Sequence, residues 1–170
     1  MIRILLIEDE EPIRRVLVRI LSEEDAQYKI TEAVDGKKGF YLLDKESFDL
    51  VLCDIKMPKM DGIEVLQKAK NSKINTPFIM LTGHGNVETA VEAMKLGAYD
   101  FISKPPDLNR LLTSVRHALE NKSLRSENKK LKRKVAQKFE IIGISKPIIE
   151  MKEMISKVAV TDARILITGE

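Results

Sequence analysis

The sequence predicts an α/β fold in which helices cover both faces of a five-stranded parallel β-sheet. Five short segments are predicted as strands, at residues 2–7, 28–34, 48–53, 76–82 and 99–103. Most of them are continuous apolar runs, as expected for strands that are buried on both faces. The segments between them have apolar residues at helical spacing, and helical connections between short strands are typical of parallel sheets.

The first three connecting segments each carry a signal for the start of a helix. The first helix begins at Pro12, because proline is tolerated at the first position of a helix. Asp35 and Gly36 form a turn before the second helix, and the third helix follows Gly62.

The fourth helix follows a short loop that contains two glycines. Asn86 is predicted to cap this helix and Gly97 to end it. The apolar residues between them recur at helical spacing, so we expect one face to pack against the sheet: Val87, Ala90, Val91 and Met94.

Polar side chains stand at four of the five predicted strand ends. They are Glu8 and Asp9, Asp54, Thr82, and Lys104. In a doubly wound sheet these ends meet around one crevice, which is where ligands bind. An alternative for Asp54 is that it caps the helix that follows it.

Three carboxylates in one crevice repel each other, which favours a hard divalent cation such as Mg²⁺. A carboxylate beside Mg²⁺ can accept a phosphoryl group as an acyl phosphate. Lys104 and the Thr82 hydroxyl would then stabilise the phosphoryl oxygens. Taken singly, Thr82 is also explained as a strand end, Phe101 as a core residue and Lys104 as a solvated lysine.

Residues 1–106 and the helix after them resemble the receiver domain of bacterial two-component response regulators. The resemblance lies in the acid pair at 8–9, the segment DIKMPKMDG at 54–62, Thr82, Phe101 and the Lys104-Pro105 pair. It implies a flavodoxin-like sheet with strand order 2-1-3-4-5. It also implies that Asp54 accepts phosphate from a sensor histidine kinase.

The same resemblance implies the roles of the other site residues. Asp9, Asp54 and the backbone carbonyl of Lys56 would bind Mg²⁺, and Glu8 would act through water. Thr82 and Phe101 would form the switch pair, and the Lys104-Pro105 peptide bond would be cis.

Two other functions compete with this hypothesis. One is a phosphate-independent, receiver-like dimerisation module. The other is a phosphatase of similar fold with Asp54 as nucleophile, but such enzymes commonly have a second acid two residues on, where this chain has Lys56. We therefore expect a signalling receiver that assists its own phosphorylation and dephosphorylation, not an enzyme.

A long helix is predicted from Leu108 onward. The apolar residues of its first part are expected to pack on the sheet: Leu108, Leu111, Leu112, Val115 and Leu119. Its second part has a seam with alternating spacings of three and four: Asn121, Leu124, Asn128, Leu131 and Val135. This heptad pattern predicts a parallel coiled-coil homodimer, the alternative being a single amphipathic linker helix.

Charge is distributed unevenly along the chain. The formal net charge of +3 arises from −3 over residues 1–106, +6 over 107–140 and zero over 141–170. The run KKLKRK at 129–134 is interrupted by a seam residue, so we interpret it as a solvated helix face and not as a nucleic-acid site.

After residue 141, a further helix is predicted from Pro147 and a short strand at 164–168. Residues 141–170 resemble the opening of the AAA+ ATPase domain in NtrC-family, sigma-54-dependent activators, whose phosphate-binding loop begins with the Gly-Glu pair found here at 169–170. We predict a receiver at 1–120, a coiled-coil linker at 121–140 and the truncated ATPase domain after it. The longer protein would bind ATP, sigma-54 RNA polymerase and DNA. With no long apolar run, and with Cys53 inside a strand, we expect a cytoplasmic protein.

Overall fold

A computed structural model describes residues 1–83, 87–138, 141–161 and 166. Its five strands form one parallel sheet in the order β2-β1-β3-β4-β5, which confirms the predicted fold class. The elements are β1 (Ile2–Ile7), α1 (Glu11–Glu24), β2 (Tyr28–Ala33), α2 (Gly36–Lys45), β3 (Leu50–Asp54), α3 (Gly62–Asn71), β4 (Phe78–Thr82), α4 (Val87–Lys95), β5 (Asp100–Ser103), α5 (Leu108–Lys138) and α6 (Lys146–Val158).

Each face of the sheet has its own hydrophobic core. On one face, residues of β1, β3 and β4 pack against α2, α3 and α4. On the other face, the alternate residues of the same strands pack against α1 and the first part of α5. Because both faces are covered, the three central strands are apolar at nearly every position, which is the pattern that the sequence shows.

Two strands begin two residues later than the sequence predicts. β3 begins at Leu50 instead of residue 48, and β4 begins at Phe78 instead of residue 76. The residues before these two strands are joined by a side-chain hydrogen bond, in which the Thr76 hydroxyl donates to the backbone carbonyl of Phe48 at 3.1 Å. Both residues are buried, but this contact joins the segments that precede the strands and is not part of the sheet ladder.

The predicted core face of α4 is partly wrong. Ala90 is buried as expected, but Val91 and Met94 are 45% and 40% exposed, and Ala93 takes the inward position. Small side chains at 90 and 93 let the helix approach the sheet closely. Val87 has no described side chain, and Asn86 lies outside the described residues.

The alternative role for Asp54 as a helix cap is also wrong. The residue that caps α3 is Asp61, whose carboxylate accepts from the backbone N–H of Glu64 at 2.8 Å. The Glu64 carboxylate accepts in turn from the backbone N–H of Asp61, which completes a capping box. Asp54 is instead the last residue of β3.

The chain divides into two compact units, Met1–Ser126 and Glu127–Glu170. In the first unit, Leu111, Val115 and Ala118 of α5 are buried, whereas Leu108 is 48% exposed against expectation. In the second, α6 begins near Pro147 as predicted. Of the strand predicted at 164–168, only Leu166 is described, and Gly169-Glu170 lie outside the described residues. No helix in the described parts is both long and apolar enough to span a bilayer.

Asp49 joins α5 to the opposite, amino-terminal edge of the sheet. Its carboxylate accepts from the backbone N–H of Arg3 and from Lys122 Nζ, both at 2.9 Å. Burial raises the pKa of Asp49, but these two bonds outweigh it and hold the pKa below the ordinary value.

The lowered pKa of Asp49 predicts that this residue contributes to the loss of folding stability in acid. A carboxyl group whose folded pKa is depressed stabilises the fold above its unfolded pKa, and the contribution is lost as pH falls through the folded pKa. Asp49→Asn should therefore lower the free energy of unfolding at pH 7 and flatten its decline below about pH 4. Urea titrations across pH measure both effects. An unchanged slope on the acid side would contradict the assignment.

Candidate functional site

Asp54 lies at the carboxyl end of β3, buried and in direct contact with a lysine. Lys104 Nζ donates to Asp54 Oδ2 at 2.7 Å and to Glu8 Oε1 at 2.9 Å. The Lys104 side chain is only 12% exposed, so the alternative of a solvated lysine is wrong. The structure thus joins the ends of β1, β3 and β5 through one ammonium group, which reaches across the end of β4.

The acidic segment after β1 supplies the other side of the site. Glu8 is fully buried, and its Oε1 also accepts from the backbone N–H of Glu10 at 3.3 Å. Among the described residues, Asp9 Oδ1 is buried without a hydrogen-bond partner. Arg14 Nη1 donates to the backbone carbonyl of Glu8 at 2.9 Å, which fixes the acid segment from behind.

Burial and ion pairing oppose each other in the ionisation of the site. Burial raises the pKa of Asp54 and of Glu8, although the hydrogen bonds from Lys104 act in the opposite direction. Burial also lowers the pKa of Lys104, but its bonds to the two carboxylates outweigh burial and keep the pKa above the ordinary value. The site therefore concentrates negative charge that one ammonium group only partly neutralises.

The donor set fits a hard divalent cation. Carboxylate oxygens of Glu8, Glu10 and Asp54 lie within 4.8 Å of one another, and the partnerless oxygen of Asp9 belongs to the same segment. Oxygen ligands of this kind suit Mg²⁺, which is usually bound through one or two carboxylates and several waters. The backbone carbonyl of Lys56, the remaining predicted ligand, follows Asp54 by two residues, and the Lys56 N–H donates to Asp54 Oδ1 at 3.4 Å.

The two residues of the predicted switch pair differ in burial. Thr82, the last residue of β4, is 5% exposed, and its hydroxyl donates to the backbone carbonyl of Gly83 at 3.3 Å. Phe101 of β5 is 39% exposed, so the alternative of an ordinary core residue is wrong. The Lys104-Pro105 peptide bond is cis, as predicted.

Comparison with known protein families agrees with this geometry. The model of the response regulator receiver domain matches residues 4–116, which include every residue of the site. The chain belongs to the response regulator receiver family. This confirms the resemblance that rested on the acid pair, the 54–62 segment, Thr82 and Lys104.

The individual relatives that the chain matches are longer than the chain itself. It is 33% identical to the regulatory protein AtoC of Escherichia coli over 171 residues, which cover 99% of this chain and 37% of AtoC. It is 36% identical to the nitrogen assimilation regulatory protein NtrX of Azorhizobium caulinodans over 168 residues, which cover 98% and 36% of the two chains. The chain thus spans about a third of the length of these relatives.

Solved structures give the same result. The crystal structure of NtrX from Brucella abortus superposes with a TM-score of 0.73 at 33% identity, covering 97% of this chain and 36% of that chain. NtrX has also been solved in complex with ADP. A receiver domain protein from Clostridium thermocellum gives a TM-score of 0.68 at 30% identity and covers 73% of this chain.

Two residues of the receiver site were not predicted from the sequence. Glu10 joins the carboxylate cluster, with its Oε1 3.8 Å from Lys104 Nζ. Arg14 fixes the acid segment and also pairs with Glu32 of β2 at 3.1 Å. Glu10 could have been found from the run of four acids at residues 8–11. Arg14 had no local signal, because its contacts depend on how α1 packs.

The predicted dimer seam begins on the receiver itself. Asn121 donates to the Tyr99 hydroxyl at 2.9 Å and to the backbone carbonyl of His117 at 3.0 Å. Leu124 is 63% exposed and Asn128 is exposed as well. Leu131 and Val135 lie within α5, and their side chains are not described.

Proposed function

We propose that the chain is the phosphoacceptor receiver of a response regulator, with Asp54 as the residue that takes the phosphoryl group. The observation that carries the proposal is the position of Asp54: a buried carboxylate at a strand end, bonded to Lys104 and beside the Glu8–Glu10 acids. A plain core or capping role explains none of these contacts.

In the proposed reaction, an Asp54 carboxylate oxygen attacks phosphorus of a phosphohistidine on the partner kinase. The P–O bond forms as the P–N bond breaks, and the imidazole leaves and takes up a proton. The Lys104 ammonium group then donates to one phosphoryl oxygen, and the Thr82 hydroxyl donates to another. Mg²⁺, when bound, would neutralise charge on the phosphoryl oxygens; Asp9, Asp54 and the Lys56 carbonyl would hold it, with Glu8 acting through water.

The switch is proposed to couple this new charge to Phe101. Thr82 and Phe101 lie on adjacent strands, and the Cα of Phe101 pairs with that of Met80, two residues before Thr82. Movement of the hydroxyl toward the phosphate would leave space behind it for the aromatic ring, which is now 39% exposed. The face formed by α4, β5 and α5 would change with it.

The experiment that tests this function is intact-mass measurement after incubation with a small-molecule phosphodonor. We expect a gain of one phosphoryl group with Mg²⁺ and none with EDTA. No gain with any donor would favour the phosphate-independent dimerisation module instead. Turnover of phosphate esters without a stable phosphoprotein would favour the phosphatase.

We further propose that the full-length protein is an NtrC-type, sigma-54-dependent activator. The support is the length of the relatives, the regulatory names they carry, and the resemblance of residues 141–170 to the start of an AAA+ domain. NtrX from Brucella abortus has been solved in complex with ADP, which supports nucleotide binding by the full-length protein that we propose. Sigma-54 RNA polymerase and DNA would be partners of that longer protein.

A parallel homodimer through the second half of α5 is the proposed link between receiver and output. Asn128→Asp should weaken it, because like charges would meet at the seam, and raise the dissociation constant by about tenfold. Light scattering over a concentration series measures this. Ser123→Asp, which adds the same charge off the seam, is the control. Equal masses for the two variants would argue against the coiled coil.

A further inference from the structure

The loop at residues 55–61 links the phosphoacceptor strand to α3 and carries Lys56, the proposed carbonyl ligand of Mg²⁺. Its base is closed by backbone bonds: Gly62 N–H donates to the Ile55 carbonyl, and Ile55 N–H donates to the Leu81 carbonyl, both at 2.9 Å. Gly62 is required there, because a Cβ would lie 2.2 Å from the Asp54 carbonyl oxygen. The base is therefore rigid. At the far end of the loop Met57 and Met60 are buried in the core, whereas Lys59 between them is exposed.

That far end is held by Asp35, from the junction between β2 and α2. Lys59 has a φ of 70°, a left-handed conformation that non-glycine residues adopt infrequently. Its Nζ lies 2.6 Å from Asp35 Oδ2. The Asp35 side chain is 10% exposed, and its other oxygen accepts from the backbone N–H of Lys38, so its own position is fixed by the start of α2.

A second contact joins the same two segments. A Cβ at Gly36 would lie 2.2 Å from the backbone carbonyl oxygen of Met60, so glycine permits the junction and the loop to touch. Asp35 thus contacts Lys59, and Gly36 contacts Met60. The hydrogen bond from Lys59 also lowers the pKa of Asp35 below its ordinary value.

We propose that Asp35 is a positioning residue for the metal site. It holds the 55–61 loop through Lys59, so that the Lys56 carbonyl is presented to Mg²⁺. This inference rests on the proposed function. Asp35 touches no reacting atom in this arrangement. Its effect on the metal passes through a strained backbone that the ion pair stabilises.

Electrostatics distinguishes positioning from a direct charge effect. Lys59 is a cation near a cation site, so its removal should by Coulomb's law strengthen Mg²⁺ binding. If Lys59 instead positions the loop, its removal should weaken binding. The two explanations thus predict opposite signs for Lys59→Met, which keeps the length of the side chain.

The test is calorimetric titration of the whole chain with MgCl₂ at physiological ionic strength. For Lys59→Met we expect the dissociation constant to rise about 3- to 10-fold, below the roughly 10- to 100-fold effect of residues that contact a metal ligand directly, because Lys59 acts through the backbone of the loop. Lys59→Arg should restore affinity. Lys59→Asn, which accepts a positive φ more readily, should still bind weakly because it lacks the ion pair.

The matched control is Lys73→Met. Lys73 is another exposed lysine with a positive φ, of 58°, but it lies after α3, and no ion pair of its side chain is seen in the described parts of the chain. Its substitution should leave Mg²⁺ affinity unchanged. Asp35→Asn combined with Lys59→Met should weaken binding no more than either change alone, since both remove one interaction.

A readout without metal completes the test. Hydrogen exchange of the backbone amides at 56–61 should accelerate in Lys59→Met and not in Lys73→Met, while the melting temperatures show that both variants fold. Unchanged or tighter Mg²⁺ binding by Lys59→Met, or additive losses in the double variant, would overturn the positioning role alone. Failure of the unsubstituted chain to bind Mg²⁺ would overturn the proposed function as well.

Discussion

Lys104→Met is expected to lower the free energy of unfolding of the metal-free protein by about 3 kcal/mol, because it leaves buried Asp54 and Glu8 without their counter-charge. Burial already raises the pKa of both carboxyl groups, and the loss of Lys104 should raise each further. The destabilisation should therefore shrink as pH falls and the two groups become protonated.

Urea denaturation at pH 7 and pH 5 measures this effect, with Lys95→Met at the exposed end of α4 as the control. Mg²⁺ should recover much of the lost stability, since it binds the folded carboxylates and supplies positive charge. Acyl-phosphate formation should remain about 100-fold slower even with Mg²⁺, because one donor to the phosphoryl oxygens is gone. A loss of stability below about 1 kcal/mol would contradict a buried, counter-charged site.

Asp54→Asn is expected to abolish phosphorylation and at the same time to stabilise the fold by about 1 kcal/mol. An amide cannot form the acyl phosphate. Its oxygen can still accept from Lys104, while the cost of burying an ionised carboxylate disappears. Lys104 keeps Glu8 as its ionic partner.

Intact mass and thermal unfolding of the same sample measure both effects. Asp44→Asn on the exposed face of α2 removes the same charge and should change neither phosphorylation nor stability by more than about 0.5 kcal/mol. Full phosphorylation of Asp54→Asn would assign the acceptor role to another residue. A clear loss of stability would mean that the Asp54 carboxylate is structurally favourable.

Local patterns in the sequence were sufficient to predict the sheet and most of the helices that cover it. Strands buried on both faces must be apolar throughout, so β1, β3 and β4 are visible without any knowledge of their neighbours. The site followed from the same reasoning, because parallel strands place Asp54, Thr82 and Lys104 at one edge. Each of these residues has its signal within a few positions of itself.

The errors arise where packing between distant segments determines which side chains are buried and which are paired. Helical spacing in α4 placed Ala90 correctly but could not show that Ala93, and not Val91 and Met94, lies beside it on the inner face, because close approach to the sheet selects small side chains. The Arg14 contact with the acid segment and the Asp35–Lys59 pair join separate elements as well. No local pattern indicates such pairs, although both act on the site.

The measurement that tests the central claim most directly is the location of the phosphoryl group in the unsubstituted chain. After phosphorylation with Mg²⁺, borohydride reduces an aspartyl phosphate to homoserine, and peptide mass spectrometry then identifies the converted position. We predict homoserine at position 54 and at no other aspartate. Conversion at Asp9 or Asp61, or a phosphorylated chain that leaves Asp54 intact, would contradict the account.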